Sequence, residues 1–529
     1  MKRRDFLKNT LPASVTLPAL INGFSVKAFT GASPLVQALM GTTTDTDKVL
    51  VMIQLNGGND GLNMVIPIET YREYYNARAN IAIGQNKILP LNGTSKTGLH
   101  PSMTGLQTLY NENKLAIIQA VGYPSPNFSH FRATDIWMSA SDSEQVLTTG
   151  WIGRYLNIEY PNFPNGYPTA QMPDPLAIQI GSVASLALQG PSFPMGMTIS
   201  DPTSFYDFLD NVGDPVPNTP WGKELAYIRM IMGQTEQYSN VIRAAAAKVT
   251  SQGSYPSNND LAQQLRIVAR LVKGGLKTRV YMVSTGGFDT HSSQVEAADT
   301  SVGGHAKLMA RVSDAIKCFM DDLKGLGVDD RVIGFTFSEF GRRIKSNSSL
   351  GTDHGAAAPV FVFGKNVRAG IIGTNPAIPT GAGGNDNVPF QYDFRSIYAS
   401  ILKQWFCVND TDLQTILLKN FQNIPLCVNA ACGATGVDDV IRGDGEQLIV
   451  NYPNPFVEST SITFNTKGGH TLVQVIDTMG RVVRTLTDKV YTSGTYTVTF
   501  DGYGAPLGVY YARFQNGTTQ QVRPMLKTR

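Results

Sequence analysis

The 529-residue sequence has little cysteine, little charge and no long apolar run. Its four cysteines are too few for a disulfide scaffold, and none forms a C-x-x-C pair, which argues against a zinc ribbon or a thioredoxin-like site. Charged residues make up only 16% of the chain, so a charged, solvated disordered protein is excluded. The chain has 44 Lys and Arg residues against 41 Asp and Glu residues and contains no basic run, so its charge gives no indication of a nucleic-acid partner. No run reaches the roughly 18 apolar residues of a membrane span, so we expect no transmembrane helix.

The composition that remains is typical of a multidomain globular protein. Apolar residues make up 42% of the chain, enough for at least one large core. At about 150 residues per domain, the length allows three or four domains. Gly 51 and Pro 29 indicate many turns and long loops.

The first 30 residues carry an export pattern. Arg3 and Arg4 are followed by Asp5 and then Phe-Leu-Lys, and a weakly apolar stretch interrupted by prolines comes next. This resembles a twin-arginine signal peptide, although a basic start of a cytoplasmic protein is the alternative. The resemblance implies the twin-arginine machinery as a partner, passage through the periplasm and export of a folded chain. We assign 1–30 to the signal and 31–47 to a linker.

The last 80 residues have a different sequence pattern. Short alternating runs at 461–465, 471–477, 481–486, 495–500 and 508–514 are separated by turn residues, which predicts a small antiparallel β-sandwich. Together with YPNPF at 452–456 and the basic end VRPMLKTR, they resemble the C-terminal sorting domain of type IX secretion cargo. That resemblance implies the type IX machinery as a partner and a cell-surface or secreted product. An accessory carbohydrate-binding or immunoglobulin-like sandwich is the alternative. We assign 447–529 to this domain and the aperiodic 428–446 to a linker, where Cys427 and Cys432 are close enough to close a small loop.

The middle segment, 48–427, predicts an α/β fold. Continuous apolar, β-branched runs indicate strands buried on both faces of a mostly parallel sheet; they lie at 48–55, 114–122, 175–181, 279–285, 331–337 and 359–364. Helical periods at 258–275 and 305–327 lie between them.

Polar clusters stand beside these predicted strands. Small residues with carboxylates, imidazoles, a serine or an arginine follow four of the runs or precede the last one, in GGNDGLN, NFSHFRATDIW, GGFDTH, SEFGRR and TDHG. Ligands in open α/β sheets bind outside the carboxyl ends of the strands, so we expect these side chains to meet at one edge. Only six histidines occur, and three of them (His130, His291 and His354) lie in these clusters. Imidazole with carboxylate predicts a divalent-metal site, with zinc or manganese favoured and calcium or magnesium as alternatives.

The five motifs, in this order, resemble the bacterial family called domain of unknown function 1501, which is similar to the alkaline phosphatase and sulfatase superfamily. The resemblance implies an alkaline-phosphatase-like sheet and one or two divalent ions at its strand ends. It also implies a metal-dependent hydrolase of phosphate or sulfate esters, with a small anionic ester or a polysaccharide as substrate. Carried over by position, it implies a set of metal ligands: Asp60, Asp289, His291, Glu339, Asp353 and His354. It further implies Ser129 as the nucleophile, with His130 and Arg342 as the other candidate catalytic residues.

The match departs from the superfamily at two points. Phe340 stands where an imidazole ligand is usual, and Asp289 and His291 are two residues apart rather than four. A second metal site is therefore in doubt, and a non-catalytic surface or binding protein on a degenerate scaffold is the alternative function.

Each candidate residue also has a structural interpretation. Asn59-Asp60 is typical of a β-turn, Ser129 of a helix N-cap and His130 of a packed or capping residue. Glu339 and Arg342 are spaced for a structural ion pair. We interpret the remaining histidines, His100, His305 and His470, as structural.

Overall fold

The computed structural model describes residues 19–21, 24–26, 47–201, 220–428, 447–452, 456–477, 480–517 and 519–528. The chain divides into two compact units, Thr44–Ala431 on one hand and Met1–Thr43 with Cys432–Arg529 on the other. The predicted signal at 1–30 and the predicted linkers at 31–47 and 428–446 lie largely outside the described residues.

The described strands are, in chain order, β1 (Ala19–Ile21), β2 (Phe24–Val26), β3 (Val49–Leu55), β4 (Val65–Pro67), β5 (Leu89–Leu91), β6 (Thr94–Leu99), β7 (Leu115–Gly122), β8 (Ala177–Ile180), β9 (Met197–Ile199), β10 (Val280–Thr285), β11 (Val332–Phe337), β12 (Arg342–Ser346), β13 (Thr352–His354), β14 (Ala358–Gly364), β15 (Gly370–Ile372), β16 (Tyr392–Asp393), β17 (Gln447–Tyr452), β18 (Ser459–Asp477), β19 (Val482–Asp501), β20 (Gly508–Asn516) and β21 (Thr519–Lys527).

The described helices are α1 (Gly61–Met64), α2 (Tyr71–Arg78), α3 (Thr104–Asn111), α4 (His130–Ser139), α5 (Trp151–Glu159), α6 (Pro220–Ala247), α7 (Asp260–Lys273), α8 (Gly304–Gly325), α9 (Phe394–Gln404) and α10 (Asp410–Leu417). Three of them begin with side-chain caps, since the side chains of Asn259, Asp393 and Asn409 accept backbone N–H groups at the N-termini of α7, α9 and α10.

A nine-stranded sheet forms the centre of the larger unit. Its order is β15-β7-β14-β11-β3-β10-β8-β9, with β16 also paired to β7. All six predicted strands are present in it. One of them differs in direction, because β14 pairs antiparallel with both β11 and β7 whereas the other pairings are parallel.

Helices cover both faces of this sheet, as the continuous apolar strands require. Alternate residues of β3 enter two different cores: Val49, Val51 and Ile53 pack in one, while Leu50 and Met52 pack in the other. The first core includes residues of α3, α6, α7 and α8, and the second includes residues of α4, α5, α9 and α10. The predicted α/β class with a mostly parallel sheet is confirmed.

The C-terminal strands β17 to β21 are all paired antiparallel and enclose a core that includes Phe456, Phe464 and Phe514. The predicted all-β character is confirmed. The expected division into five short runs was wrong, because β18 continues through Gly468-Gly469 and β19 through Gly494, and the two strands pair with each other along most of their length. Within the described part of the chain, no helix is both long and apolar enough to cross a membrane.

Candidate metal centre

Four side chains from three polar clusters meet near the carboxyl edge of the central sheet. Asp289 and His291 follow the end of β10, His130 is the first residue of α4, and His354 ends β13 just before β14 begins. Within the described ranges of the chain, His130, Asp289 and His354 form a group whose metal-ligand atoms all lie within 4.8 Å of one another. Because β14 runs antiparallel to its neighbours, the chain just before it lies at the same edge as the ends of the parallel strands.

His291 joins this group, and we call the four residues His130, Asp289, His291 and His354 the His3Asp cluster. The Asp289 carboxylate lies 3.5 Å from His130 Nε2, 3.3 Å from His354 Nε2 and 3.2 Å from His291 Nε2. The Nε2 atoms of His291 and His354 are 2.9 Å apart.

Each imidazole is anchored through its other nitrogen. His354 Nδ1 lies 2.8 Å from the carbonyl oxygen of Phe128, which can only accept, so this Nδ1 carries the proton. His130 Nδ1 lies 2.8 Å from Glu339 Oε1, and His291 Nδ1 lies 3.2 Å from Asp353 Oδ1, so these acceptor oxygens favour the same tautomer there. In neutral rings of this tautomer, all three Nε2 atoms present lone pairs.

All three Nε2 atoms lie close to the Asp289 carboxylate, and those of His291 and His354 also lie close to each other. Two Nε2 lone pairs 2.9 Å apart repel unless a proton or a cation lies between them. Ligand bonds of about 2.0–2.1 Å in a tetrahedron require ligand atoms about 3.3 Å apart. Four of the six separations within the cluster, three from Asp289 to the imidazoles and one between His291 and His354, range from 2.9 to 3.5 Å and lie close to that value. The donor set therefore fits a divalent cation of the transition series.

Arg342 holds Asp289 from behind the cluster. Its side chain is fully buried; it donates to Asp289 Oδ1 at 2.8 Å and to the backbone carbonyls of Gly57, Gly58, Phe288 and Thr352. Burial opposes ionisation of Asp289, but the hydrogen bond and positive charge of Arg342, together with the neighbouring imidazoles, outweigh it and lower the pKa of this carboxyl to about 2. Asp289 is thus a carboxylate at neutral pH.

Phe340, at the position where an imidazole was expected, packs against the cluster. Its ring centroid lies 4.9 Å from that of His130 and 4.6 Å from that of His354. The Gly57-Gly58 turn approaches closely, since a Cβ at Gly57 would collide with the Asp289 backbone and one at Gly58 with the Phe340 ring. Both glycines have positive φ, so a larger residue would be strained there as well.

Two predicted ligands, Glu339 and Asp353, contact the histidines rather than completing the group. Glu339 is buried, and its Oε1 accepts from the Gly57 backbone as well as bonding to His130 Nδ1. Asp353 is exposed and contacts His291 Nδ1 and the Asn347 amide. His130, expected among the catalytic residues, presents its Nε2 to Asp289 instead.

Asp60, predicted as the first metal ligand, lies in a separate buried network. Both of its oxygens accept from Arg78, at 2.8 and 2.7 Å, and Oδ2 also accepts from the Gln294 amide at 2.6 Å. Asp60 and Arg78 are 1% and 0% exposed. The structure does not bring Asp60 into the His3Asp cluster, because its charge is already balanced by a buried guanidinium.

Ser129 precedes α4 directly. It is exposed, its hydroxyl makes no capping bond to α4, and its backbone N–H donates to the Asn127 side chain. Its neighbours on both sides contact the cluster, since the Phe128 carbonyl bonds His354 and His130 belongs to it. Glu339 and Arg342 do not form the ion pair that their spacing in the sequence suggested. Glu339 contacts His130, and Arg342 contacts Asp289.

Sequence reasoning missed Arg78 and Gln294. Arg78 ends α2 and Gln294 lies in a loop, 18 and 234 residues from the aspartate that they share. Neither position carries a motif or a periodicity that points to Asp60. His100 and His305, expected to be structural, are indeed buried.

The cysteines differ from the expected small loop. Cys427 is a buried free thiol, whereas Cys407 is disulfide-bonded. Burial raises the pKa of the Cys427 thiol to about 12, so it stays protonated.

Two family models match this chain. Residues 225–406 match the family described as Protein of unknown function (DUF1501), and residues 450–528 match the Secretion system C-terminal sorting domain. Both predicted resemblances are confirmed over these ranges. The C-terminal match indicates export to the cell surface or into the medium. A comparison with curated proteins found no match.

Solved structures similar to the chain include members of the sulfatase and alkaline phosphatase group. A sulfatase from Pseudoalteromonas sp. shares 12% identity and a TM-score of 0.33, covering 90% of this chain and 89% of that one. A protein in the alkaline phosphatase superfamily from Vibrio parahaemolyticus shares 11% identity and a TM-score of 0.32, covering 91% and 82%. Alkaline phosphatase from the Antarctic bacterium TAB5 has 9% sequence identity and a TM-score of 0.23, and the match covers 60% of this chain and 92% of that one. Likenesses this distant do not assign an activity.

Proposed function

We propose that this protein is an exported, metal-dependent hydrolase of phosphate or sulfate esters. One observation carries the proposal: three imidazoles with anchored Nδ1 atoms have their Nε2 atoms within 3.5 Å of the Asp289 carboxylate, and two of these Nε2 atoms, those of His291 and His354, lie 2.9 Å apart. Without a cation, the Nε2 lone pairs and the Asp289 carboxylate, which all present negative electrostatic potential, repel one another. The C-terminal sorting domain supports export, and the twin-arginine signal remains our prediction for the first step.

The ion would be held by His130, Asp289, His291 and His354. Three nitrogen ligands favour zinc over calcium or magnesium, which prefer oxygen. When bound, such an ion supplies Lewis-acid polarisation of the ester and favours ionisation of the attacking hydroxyl. Glu339, Asp353 and the Phe128 carbonyl would orient the three rings, as outer partners of metal-bound histidines commonly do.

Ser129 is the proposed nucleophile. Its exposed hydroxyl stands at the N-terminus of the ten-residue helix α4, between two residues that contact the cluster. Exposed N–H groups in the first turn of a helix attract anionic oxygens, so a phosphoryl or sulfuryl group would be oriented there. Attack by Ser129 Oγ on phosphorus or sulfur would expel the alcohol, and water would then release the phosphate or sulfate from the serine.

Arg342 acts in this proposal on Asp289 and not on the substrate, because its guanidinium is buried and used by five acceptors. Arg343 is the better candidate for contact with the anion. Its guanidinium is partly exposed and lies 5.1 Å from the centroid of the Phe128 ring, one residue from Ser129.

A non-catalytic binding protein is the second candidate function. Phe340 stands where an imidazole is usual, and Asp60 is paired with Arg78, so in the part of the chain that the structure describes the ligands are those of the His3Asp cluster. An ion bound by this group would then organise a surface for a polysaccharide or a protein partner rather than a reaction.

The deciding experiment measures metal content and turnover on the same full-length protein. We expect about one zinc ion per chain by elemental analysis and hydrolysis of an aryl phosphate, a phosphodiester or an aryl sulfate. The double variant Asp289→Ala/His354→Ala should lose the ion and more than about 100-fold in turnover, above the effect of losing an outer partner. Asp321→Ala is the matched control, since this carboxylate makes an exposed ion pair with Lys317 on α8.

Ser129→Ala separates the two candidate functions. A hydrolase should keep its zinc but lose at least about 100-fold in kcat, because the nucleophile is gone while the ligands remain. Zinc binding with no turnover of any of the three esters by the wild type would favour the binding protein. Unchanged zinc content in Asp289→Ala/His354→Ala would refute both.

A further inference from the structure

We propose that Gln294 is a positioning residue, which joins the two ligand-bearing segments of the His3Asp cluster, the loop after β10 and the strand β13, and that Asp60 with Arg78 orients it. The inference rests on the proposed function, because it concerns affinity for the ion. It gives the strand-end carboxylate Asp60 a role different from that of a ligand.

Gln294 contacts both ligand-bearing segments through one oxygen. It is completely buried, and its side-chain Oε1 accepts from the hydroxyls of Thr290 and Thr352, each at 3.0 Å. Thr290 lies between Asp289 and His291, and Thr352 lies two residues before His354. The backbone N–H of Thr352 also donates to the Thr290 carbonyl at 3.1 Å. The relative position of His291 and His354 therefore depends on this shared acceptor.

Asp60 determines which way the Gln294 amide points. Its carboxylate only accepts, so the NH2 group of Gln294 must face it, at 2.6 Å from Oδ2. The amide oxygen is then left for the two threonines. Burial opposes ionisation of Asp60, but Arg78 outweighs it and lowers the pKa of this carboxyl, so the acceptor is a carboxylate at neutral pH.

Arg78 connects this network to β12. Its Nε and Nη2 donate to the carbonyl of Ile344, at 2.9 and 2.8 Å, and Nη2 also donates to that of Arg343. β12 pairs with β13, which carries His354. A continuous set of buried hydrogen bonds thus runs from β12 through Arg78, Asp60 and Gln294 to both ligand-bearing segments.

The experiment removes the two hydroxyls without removing the ligands. In the full-length protein, Thr290→Val/Thr352→Val keeps side-chain shape but leaves Gln294 Oε1 without its donors, whereas Thr290→Ser/Thr352→Ser keeps the hydroxyls. We expect the valine pair to bind zinc about 10- to 100-fold more weakly and the serine pair to bind it nearly as tightly as wild type. Zinc Kd is measured by competition with a chromogenic chelator, and Tm is measured on the metal-free proteins.

A second pair of variants guards against a general folding defect. Gln294→Met removes the amide, and Gln404→Met is its control, because Gln404 also bridges chain segments, bonding Asn423, Ile424 and Leu426. Only Gln294→Met should raise the zinc Kd, even if both lower Tm. If the valine pair does not fold, Gln294→Met and the single Thr352→Val decide the question with the same measurement.

Two results would overturn the inference in distinguishable ways. Wild-type zinc affinity in Thr290→Val/Thr352→Val and Gln294→Met, with or without a lower Tm, would make the network merely structural and leave the proposed function intact. A wild-type protein that binds no zinc would refute the proposed function, and the positioning role with it.

Discussion

The surroundings of Asp60 and of Asp289 contain the same residue types but use them differently. Each aspartate follows a strand of the same sheet, accepts from an arginine and has histidines near it. Asp60 is buried, and its charge is balanced by Arg78 within the protein. Asp289 is about half exposed and faces three imidazole lone pairs in addition to Arg342. A carboxylate with a complete set of internal partners stabilises a fold, whereas one with excess acceptors around it is suited to binding a cation.

The largest effect is expected from a change that breaks the balanced network, by which we mean Asp60, Arg78 and Gln294. Asp60→Ala should lower the free energy of unfolding by about 3–5 kcal/mol, because it leaves a buried guanidinium without its counter-charge. Urea denaturation of the full chain measures this. In the double variant Asp60→Ala/Arg78→Met, the free energy of unfolding should fall by less than the sum of the decreases in the two single variants. A loss below about 1 kcal/mol for Asp60→Ala would show that the pair is not buried in solution.

The next effect is specific to the open cluster. A ligand that binds only the folded state stabilises it by about 2.7 kcal/mol at 100 times its Kd, so zinc should raise the Tm of the wild type and a chelator should reverse the change. Asp60→Ala should keep a zinc response on a lower baseline, reduced because Gln294 loses the acceptor that orients it, and Asp289→Ala should lose the response. Thermal melts with and without zinc test the comparison directly. An equal zinc response in wild type and Asp289→Ala would count against the assignment of the ligands.

The smallest expected effect concerns pH and the buried histidines on the Asp60 side. Burial lowers the pKa of His305 to about 4 and that of His100 to about 3. The unfolded chain takes up these protons near pH 6.5, so stability is complete above that pH and decreases as the pH falls toward 4. Between pH 7 and 5 His305 should account for roughly 2 kcal/mol of the loss. His305→Gln should flatten the profile of unfolding free energy in chelator, and the exposed His470→Gln should not.

The open cluster could be predicted in part from the sequence. Asp289, His291 and His354 stand in Gly-containing motifs next to strands, and scarce histidines in such places indicate a site. The roles of His130 and Glu339 were harder to assign, because the choice depends on which ring nitrogen meets which carboxylate. The Glu339 side chain bonds His130 Nδ1, so Glu339 orients a ring whose Nε2 faces Asp289.

The balanced network could not be predicted. Asn59-Asp60 follows a strand as Asp289 does, and nothing local distinguishes a carboxylate paired with a distant arginine from one that is open. Arg342 shows the same limit, since adjacent Arg342 and Arg343 look alike in sequence while one is buried among carbonyls and the other is partly exposed. Such differences depend on contacts between residues that are tens to hundreds of positions apart.

The sequence by itself determined the six predicted strands of the central sheet, their burial on both faces, the all-β character of the C-terminal segment and the motifs that carry imidazoles and carboxylates. These features follow from local composition and periodicity, which act over a few residues. Only the tertiary structure decided that β14 runs antiparallel, so that the His354 segment before it reaches the edge where β10 ends. It also decided which aspartate is neutralised internally, because charge balance is set by whatever the fold places within hydrogen-bonding distance.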